Sequence, residues 1–283
     1  MNLSVEYINY SISKKEILKD ISFQLNKGDV LAVLGHNGAG KTSLFEILTD
    51  IVRPDSGKIF YDKDKSFSAL KGKIGVLWDN ISLFSLLKVK EVIRYVSSMY
   101  RIKDVSIDAF NYLELKSIEN SLMSKLSKGE KRKVEIFLST IHDPDMLILD
   151  EPTSSLDPLI RDVVWENIIL QKDRTILFST HQWEEAFKFA SKIIFLYRGK
   201  ILNQPATGEE IINASKFSRK IIVHNTVPVQ EINIFSYEKN SGIHYLIEKE
   251  NEIVMDKIKA QTLNYSILPI DLEDIYHYLI HKV

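Results

Sequence analysis

Short, largely apolar runs recur through the first 208 residues: Val30–Leu34, Ile74–Leu77, Met146–Leu149, Thr175–Ser179 and Ile193–Tyr197. Gly35 follows the first of them and Asp150 the third. Runs of this length that do not alternate with polar residues predict strands buried on both faces, as in a mostly parallel sheet. Between them the period changes. Val89, Val92, Ile93, Val96 and Met99 are spaced by three and four, which predicts one apolar face of a helix. The alternation of the two patterns predicts an α/β fold.

From Glu209 the pattern differs. Lys220–His224 and Ile232–Tyr237 read as strands, and Asn240-Ser241-Gly242 reads as a turn before a strand at Ile243–Glu248, together a hairpin. Glu250–Gln261 reads as a helix and Tyr265–Ile270 as a strand. Asp271–Ile280 reads as a closing helix capped by Asp271. The expected organisation is a domain over 1–208, with a helical subdomain at about 80–140, and a small α+β appendage over 209–283. The tail carries a net charge of −3 against +2 for the rest.

Composition narrows the function classes. The 283 residues are 45% hydrophobic and 27% charged, values that suit a soluble globular core and exclude fibres and disorder. A net charge of −1 offers no basic field, so no nucleic-acid partner is expected. With no cysteine, a disulfide framework, a thiolate nucleophile and a Cys-ligated zinc site are excluded. The opening MNLSVEYINY lacks the basic start and apolar centre of a signal peptide. The apolar runs are far shorter than the ~20 residues of a spanning helix, so work at a membrane would need another chain to cross it.

Two segments carry chemistry. Residues 35–42 read GHNGAGKT and satisfy G-x-x-x-x-G-K-[ST], after a strand and before a helix pattern at Lys41–Thr49. In this pattern Gly35, His36, Asn37, Gly38, Ala39 and Gly40 wrap backbone N–H groups around phosphate oxygens, with the helix start at Lys41, Thr42 and Ser43 behind them. Lys41 would reach the β/γ-phosphates and Thr42 would ligate Mg²⁺. His36 occupies an unconstrained slot, where backbone contact alone is expected. Residues 146–151, MLILDE, place Asp150 and Glu151 at the carboxyl end of a buried strand, the ligand edge of such sheets. Asp150 would help hold Mg²⁺ and Glu151 would polarise an attacking water.

With these in place, LSKGE at 126–130 resembles the signature motif of ABC transporter ATPases. Ser155-Leu156-Asp157 resembles that family's D-loop, and His181 in STHQWEEA resembles its switch histidine. The resemblance covers roughly residues 3–208, with the motifs in family order. It implies a P-loop NTPase core of ABC ATPase type with a helical subdomain, ATP and Mg²⁺ as cofactors, and hydrolysis coupled to transport. It further implies a head-to-tail dimer, either with a second copy or with a homologue. Each ATP would lie between one phosphate loop and the partner's Ser127 and Gly129, while Asp157 couples the two sites and His181 meets the γ-phosphate or the water. The family's adenine-stacking aromatic falls at Ile12, and its Q-loop glutamine falls at Asp79, whose carboxylate can ligate Mg²⁺. A membrane-spanning permease subunit is the implied partner, with this chain at the cytoplasmic face of the membrane.

The short interval from Ser127 to Asp150, the SKGE signature and the closing Leu272-Glu273-Asp274-Ile275-Tyr276 resemble exporter members for drugs, peptides or polysaccharides. A soluble ABC ATPase of translation or DNA maintenance is the alternative, and a module that binds ATP without turnover is a third reading. Only 85 residues separate Lys41 from Ser127, too few for the coiled coils of DNA-maintenance members, and retained Glu151 speaks against a silent module. The remaining residues have plainer readings. Trp165 and Trp183 are expected to pack. Lys125, Lys128, Lys131, Arg132 and Lys133 are expected to form a solvated basic helix face. Trp78, Ile81, Leu83, Phe84, Leu86, Leu87, Tyr95 and Tyr100 make either subdomain core or the groove that, in the family, receives a helix of the membrane subunit.

Overall fold

The computed structural model describes residues 1–63, 65–79, 84–224, 234–240, 242–249, 252–262 and 264–282. Ile81, Leu83, Ile232, Ser241 and Glu250 of the sequence reading therefore lie outside the described residues. The chain divides into two compact units, Met1–Pro205 and Ala206–Val283.

In the first unit the strands are β1 (Leu3–Ile12), β2 (Lys15–Leu25), β3 (Val30–Leu34), β4 (Ser56–Tyr61), β5 (Ile74–Leu77), β6 (Met146–Asp150), β7 (Thr175–Thr180), β8 (Lys192–Tyr197) and β9 (Lys200–Ile201). Its helices are α1 (Lys41–Leu48), α2 (Phe67–Leu70), α3 (Val89–Met99), α4 (Ile107–Tyr112), α5 (Lys128–Thr140), α6 (Pro158–Val164) and α7 (Trp183–Phe189). Six strands form a sheet in the order β5-β6-β7-β3-β8-β9, parallel except for β9. β3 and β6 are buried at every position, because both faces of a parallel sheet are covered. The strand runs read from the sequence match β3 and β5, and β6, β7 and β8 extend them by one residue each.

An antiparallel sheet, β2-β1-β4, was not anticipated. Its strands are half-buried, and their two-residue period is broken. Tyr7 and Asp20 adopt left-handed conformations, φ 52° and 53°. On β1 the inward residues are Leu3 and Val5, then Ile8; on β2 they are Leu18, then Ile21, Phe23 and Leu25. Each bulge inserts one residue and shifts the phase of the alternation. The inward faces join one core with Phe45, Leu48, Met146 and Ile148.

α5 begins with a reciprocal cap. The Ser127 hydroxyl accepts from Glu130 N–H at 3.3 Å, and the Glu130 carboxylate takes the Ser127 N–H at 2.8 Å. The glutamate in SKGE is thus what fixes the start of this helix. The hydrogen bonds from Ser127 also hold the Glu130 carboxyl below its ordinary pKa.

In the second unit α8 (Gly208–Ala214), capped by Thr207, leads into β10 (Phe217–Val223), β11 (Ser236–Lys239), β12 (Gly242–Glu248), α9 (Glu252–Gln261), β13 (Tyr265–Pro269) and α10 (Leu272–His281). A boundary at 208 would cut this helix start. The sheet order is β11-β12-β10-β13, antiparallel throughout. Ile221, Val223, Ile243, Tyr245 and Ile247 pack with Ile258, Val254 and Met255 of α9. Next to them in sequence, Lys220 pairs with Asp271 at 2.6 Å and Asp274 at 2.9 Å at the start of α10. Asp271 caps α10, as its sequence pattern predicts. β10 begins three residues before the expected strand, and β11 covers the later part of the strand expected at Ile232–Tyr237, whose first two residues lie outside the described ones.

Candidate nucleotide site

The loop between β3 and α1 is built on glycines that nothing else can replace. Gly40 has φ 108°, and a Cβ there would come 2.9 Å from the Leu18 side chain. A Cβ on Gly35 would lie 2.4 Å from the Leu196 carbonyl oxygen, on the neighbouring strand β8. The loop is therefore drawn tight, and it opens on a pocket of about 440 Å³ lined by Lys15, Ile17, residues 36–43, Asp79, Asp150 and Glu151.

Burial and ordered partners fix the side chains. Lys41 is 7% exposed; its ammonium donates to the Gly35 carbonyl at 2.6 Å and lies 3.5 Å from Glu151 Oε1. Asp150, 1% exposed at the end of β6, accepts from Thr42 Oγ1 at 2.9 Å and from the hydroxyl of Ser179. Ser179 Oγ in turn accepts the Glu151 N–H at 3.0 Å. Glu151 sits in the left-handed region, φ 49°, a conformation that costs a non-glycine residue about 1–2 kcal/mol. Its Oε2 lies 2.8 Å from His181 Nδ1, so an ionised Glu151 takes the Nδ1 proton as a hydrogen bond.

Lys41, Thr42, Asp150, Glu151, His181 and Asp79 are thus brought to one pocket rim, with Asp79 3.5 Å from Ser154. Thr42, Asp150 and Asp79 present hard oxygen donors, the chemistry that suits Mg²⁺ alongside phosphate oxygens. Ile12 is not among the lining residues. It is 49% exposed and pairs with Lys15 across a tight turn, Ser13 and Lys14 both having positive φ, so β2 supplies Lys15 and Ile17 instead. His36 packs edge-on against Trp183, with ring centroids 6.4 Å apart. Ser127 and Gly129 also stay out of this pocket. The start of α5 lies against the segment that precedes α6, where a Cβ on Gly129 would come 3.1 Å from Ser155 O. Asp157 caps α6 through its bond from Ile160 N–H.

Three contributions escaped the sequence reading. Ser179 orders both acids. Glu185, buried on α7, accepts from the Thr153 hydroxyl and from Trp165 Nε1–H at 2.8 Å. Arg132 belongs to no solvated face. It is 3% exposed, and its guanidinium donates to the carbonyls of Trp78, Asp150, Glu151 and Pro152. The spacing KGEKRK carries no sign of this, because only the folded chain brings four carbonyls to one side chain.

A second cavity, about 700 Å³, lies away from the phosphate loop, with Ile74, Trp78, Phe84, Met99, Tyr100 and Leu138 in its walls. Burial pushes two of its lining groups toward neutrality, Glu135 up and His142 down. Leu86, Tyr95 and Met99 are exposed on the same subdomain.

A phosphate loop at the carboxyl edge of a parallel sheet, faced by an aspartate at the end of β6, two strands away, and a glutamate beyond it, defines a P-loop nucleotide-binding protein. The ABC transporter family profile matches residues 18–154. An uncharacterized ABC transporter ATP-binding protein of Methanocaldococcus jannaschii is 33% identical over 71% of this chain and 76% of its own length. The linearmycin resistance ATP-binding protein LnrL of Bacillus subtilis is 29% identical over 90% of this chain and 84% of its own length. Some other relatives are much longer, and the chain covers 13–14% of them. A solved ATP-binding subunit of an ABC transporter superposes with a TM-score of 0.67 at 22% identity, covering 75% of this chain and 92% of that one. The chain belongs to the ATP-binding proteins of the ABC transporter family.

Proposed function

We propose that this protein hydrolyses ATP with Mg²⁺ and thereby drives export through a separate membrane-spanning subunit. The observation that carries the reading is Glu151, held beside both His181 and Lys41 at the mouth of the phosphate loop. The loop N–H groups and Lys41 bind the phosphates. Thr42, Asp150 and Asp79 would hold Mg²⁺, which would supply neutralisation of the phosphate charge. Glu151 accepts a proton from the attacking water as it approaches the γ-phosphorus, and His181 keeps the carboxylate aimed.

Ser127 and Gly129 lie outside the chain's own phosphate pocket, which supports a head-to-tail pair that shares each ATP. Asp157, which caps α6, would couple the two halves. The large apolar cavity suits a short helix of the membrane subunit. No helix among the described residues is long and apolar enough to cross a membrane. Through that subunit the chain would sit at the cytoplasmic face. Export is favoured by the LEDIY ending and by likeness to a resistance protein across 265 aligned residues, which reach into the second unit.

The test is phosphate release by Glu151→Gln. Turnover should fall ~10²-fold or more, the range for a lost general base, with ATP still bound. The same variant should dimerise only with ATP, and adding Ser127→Arg should abolish that dimer in light scattering. Near-normal turnover, or a dimer indifferent to ATP, would overturn the reading.

A further inference from the structure

Arg132 uses all five of its N–H donors. Nε donates to Pro152 O at 2.8 Å; Nη2 donates to Asp150 O at 2.6 Å and Glu151 O at 2.5 Å; Nη1 donates to Trp78 O at 2.6 Å and Glu135 Oε2 at 3.3 Å. Three of these acceptors are consecutive carbonyls, and the middle one belongs to Glu151, the residue held in a left-handed conformation. The other two, on Trp78 and Glu135, belong to residues in the wall of the large apolar cavity. One rigid cation therefore touches the backbone of the water-activating acid and the lining of a cavity on another part of the unit. It is carried by the helix that begins at Ser127.

A guanidinium is a planar fork whose donors have fixed directions, whereas an ammonium is a compact charge with three rotatable donors. Consecutive carbonyls normally diverge, so a single group that binds three of them fixes the peptide planes between them. At Glu151 those planes set φ, and φ sets where the carboxylate points.

We propose that Arg132 is a positioning residue for hydrolysis: it holds the Glu151 peptide in its strained conformation and ties that conformation to the cavity wall at Trp78 and Glu135. A ligand that displaces the wall would move the guanidinium, and with it the carboxylate beside His181. The inference rests on the general-base reading of Glu151 given above. It adds a residue that touches neither nucleotide nor water.

The experiment compares wild type, Arg132→Lys and Glu151→Gln as full chains. It measures steady-state phosphate release, KM for ATP, equilibrium ATP binding and thermal unfolding by tryptophan emission. Arg132→Lys keeps the charge but not the fork. Its kcat per bound ATP should fall ~10- to 100-fold, the effect of a displacement near 1 Å, with KM and ATP affinity unchanged. Wild-type turnover per bound ATP would overturn the proposal. So would a variant that neither folds nor binds ATP, since that marks Arg132 as a packing residue alone. If Glu151→Gln turns over normally, the general-base reading fails instead, whatever Arg132→Lys does.

Discussion

Glu185 offers a quantitative test of how the segment after Glu151 is held. Its carboxylate, 4% exposed, is the acceptor for two donors that are wholly buried, the Thr153 hydroxyl and the Trp165 indole N–H. Glu185→Ala removes the acceptor and leaves both donors without one. Each orphaned buried donor costs about 1–3 kcal/mol, so the loss should be about 2–6 kcal/mol. For a unit of this size 1 kcal/mol corresponds to about 2–4 °C, which places the fall in Tm on the order of 10 °C. Glu185→Gln keeps one carbonyl oxygen in the same place, able to accept from both donors, and should stay within about 1 kcal/mol of wild type. The assay is specific, because all three tryptophans, Trp78, Trp165 and Trp183, lie in the first unit and report its unfolding alone. Equal losses for the two variants would refute the reasoning, since they would show that packing rather than the accepted hydrogen bonds is at stake.

Gly75→Ala should cost about 1–3 kcal/mol, because a Cβ there would lie 2.1 Å from Ser139 O, a backbone atom of α5 that has no rotamer with which to yield; an unchanged urea midpoint would contradict that packing. The second unit should weaken in acid. Burial and the nearby Lys220 and Lys239 push His244 below its usual pKa, so the unfolded chain binds the proton first and stability falls as pH drops below about 6.5. Glu273 acts at lower pH: burial opposes its charge, but bonds from His277 and Lys239 outweigh that and hold it at about 2. That stability, present above about 4.3, is lost as pH falls toward 2 and amounts to about 1–3 kcal/mol after screening. Melts followed by the tyrosine near-UV signal should show both losses, and a pH-independent transition would sink them.

The parts legible in the sequence were those in which one residue does its work by local rule. Gly35, Gly40, Lys41 and Thr42 announce themselves by spacing, since the tight loop admits little else. β3 and β5 are legible because burial on both faces leaves an unbroken apolar run. β1 and β2 are not, because Tyr7 and Asp20 shift the alternation midway and the turn at Ser13 and Lys14 lacks glycine. Counting back from the loop therefore arrives at Ile12, whereas the hairpin presents Lys15 and Ile17. Ser179, Glu185 and Arg132 were illegible for a further reason: each acts on a partner brought close only by tertiary structure. A lysine- and arginine-rich stretch looks the same whether one of its members is solvated or buried beneath four carbonyls.

The left-handed backbone at Glu151 has a consequence for the history of the sequence. Glycine would occupy that conformation at lower cost, so the glutamate is kept against backbone strain for what its carboxylate does beside His181 and Lys41. If Glu151 is the general base proposed above, selection for turnover helps to keep glutamate in place. Descendants of this gene that kept nucleotide binding but no longer needed hydrolysis would be under steady pressure to drift at this codon. With the acid gone, the arginine behind it would in turn be released to vary, while Ser179 would still be needed to hold Asp150.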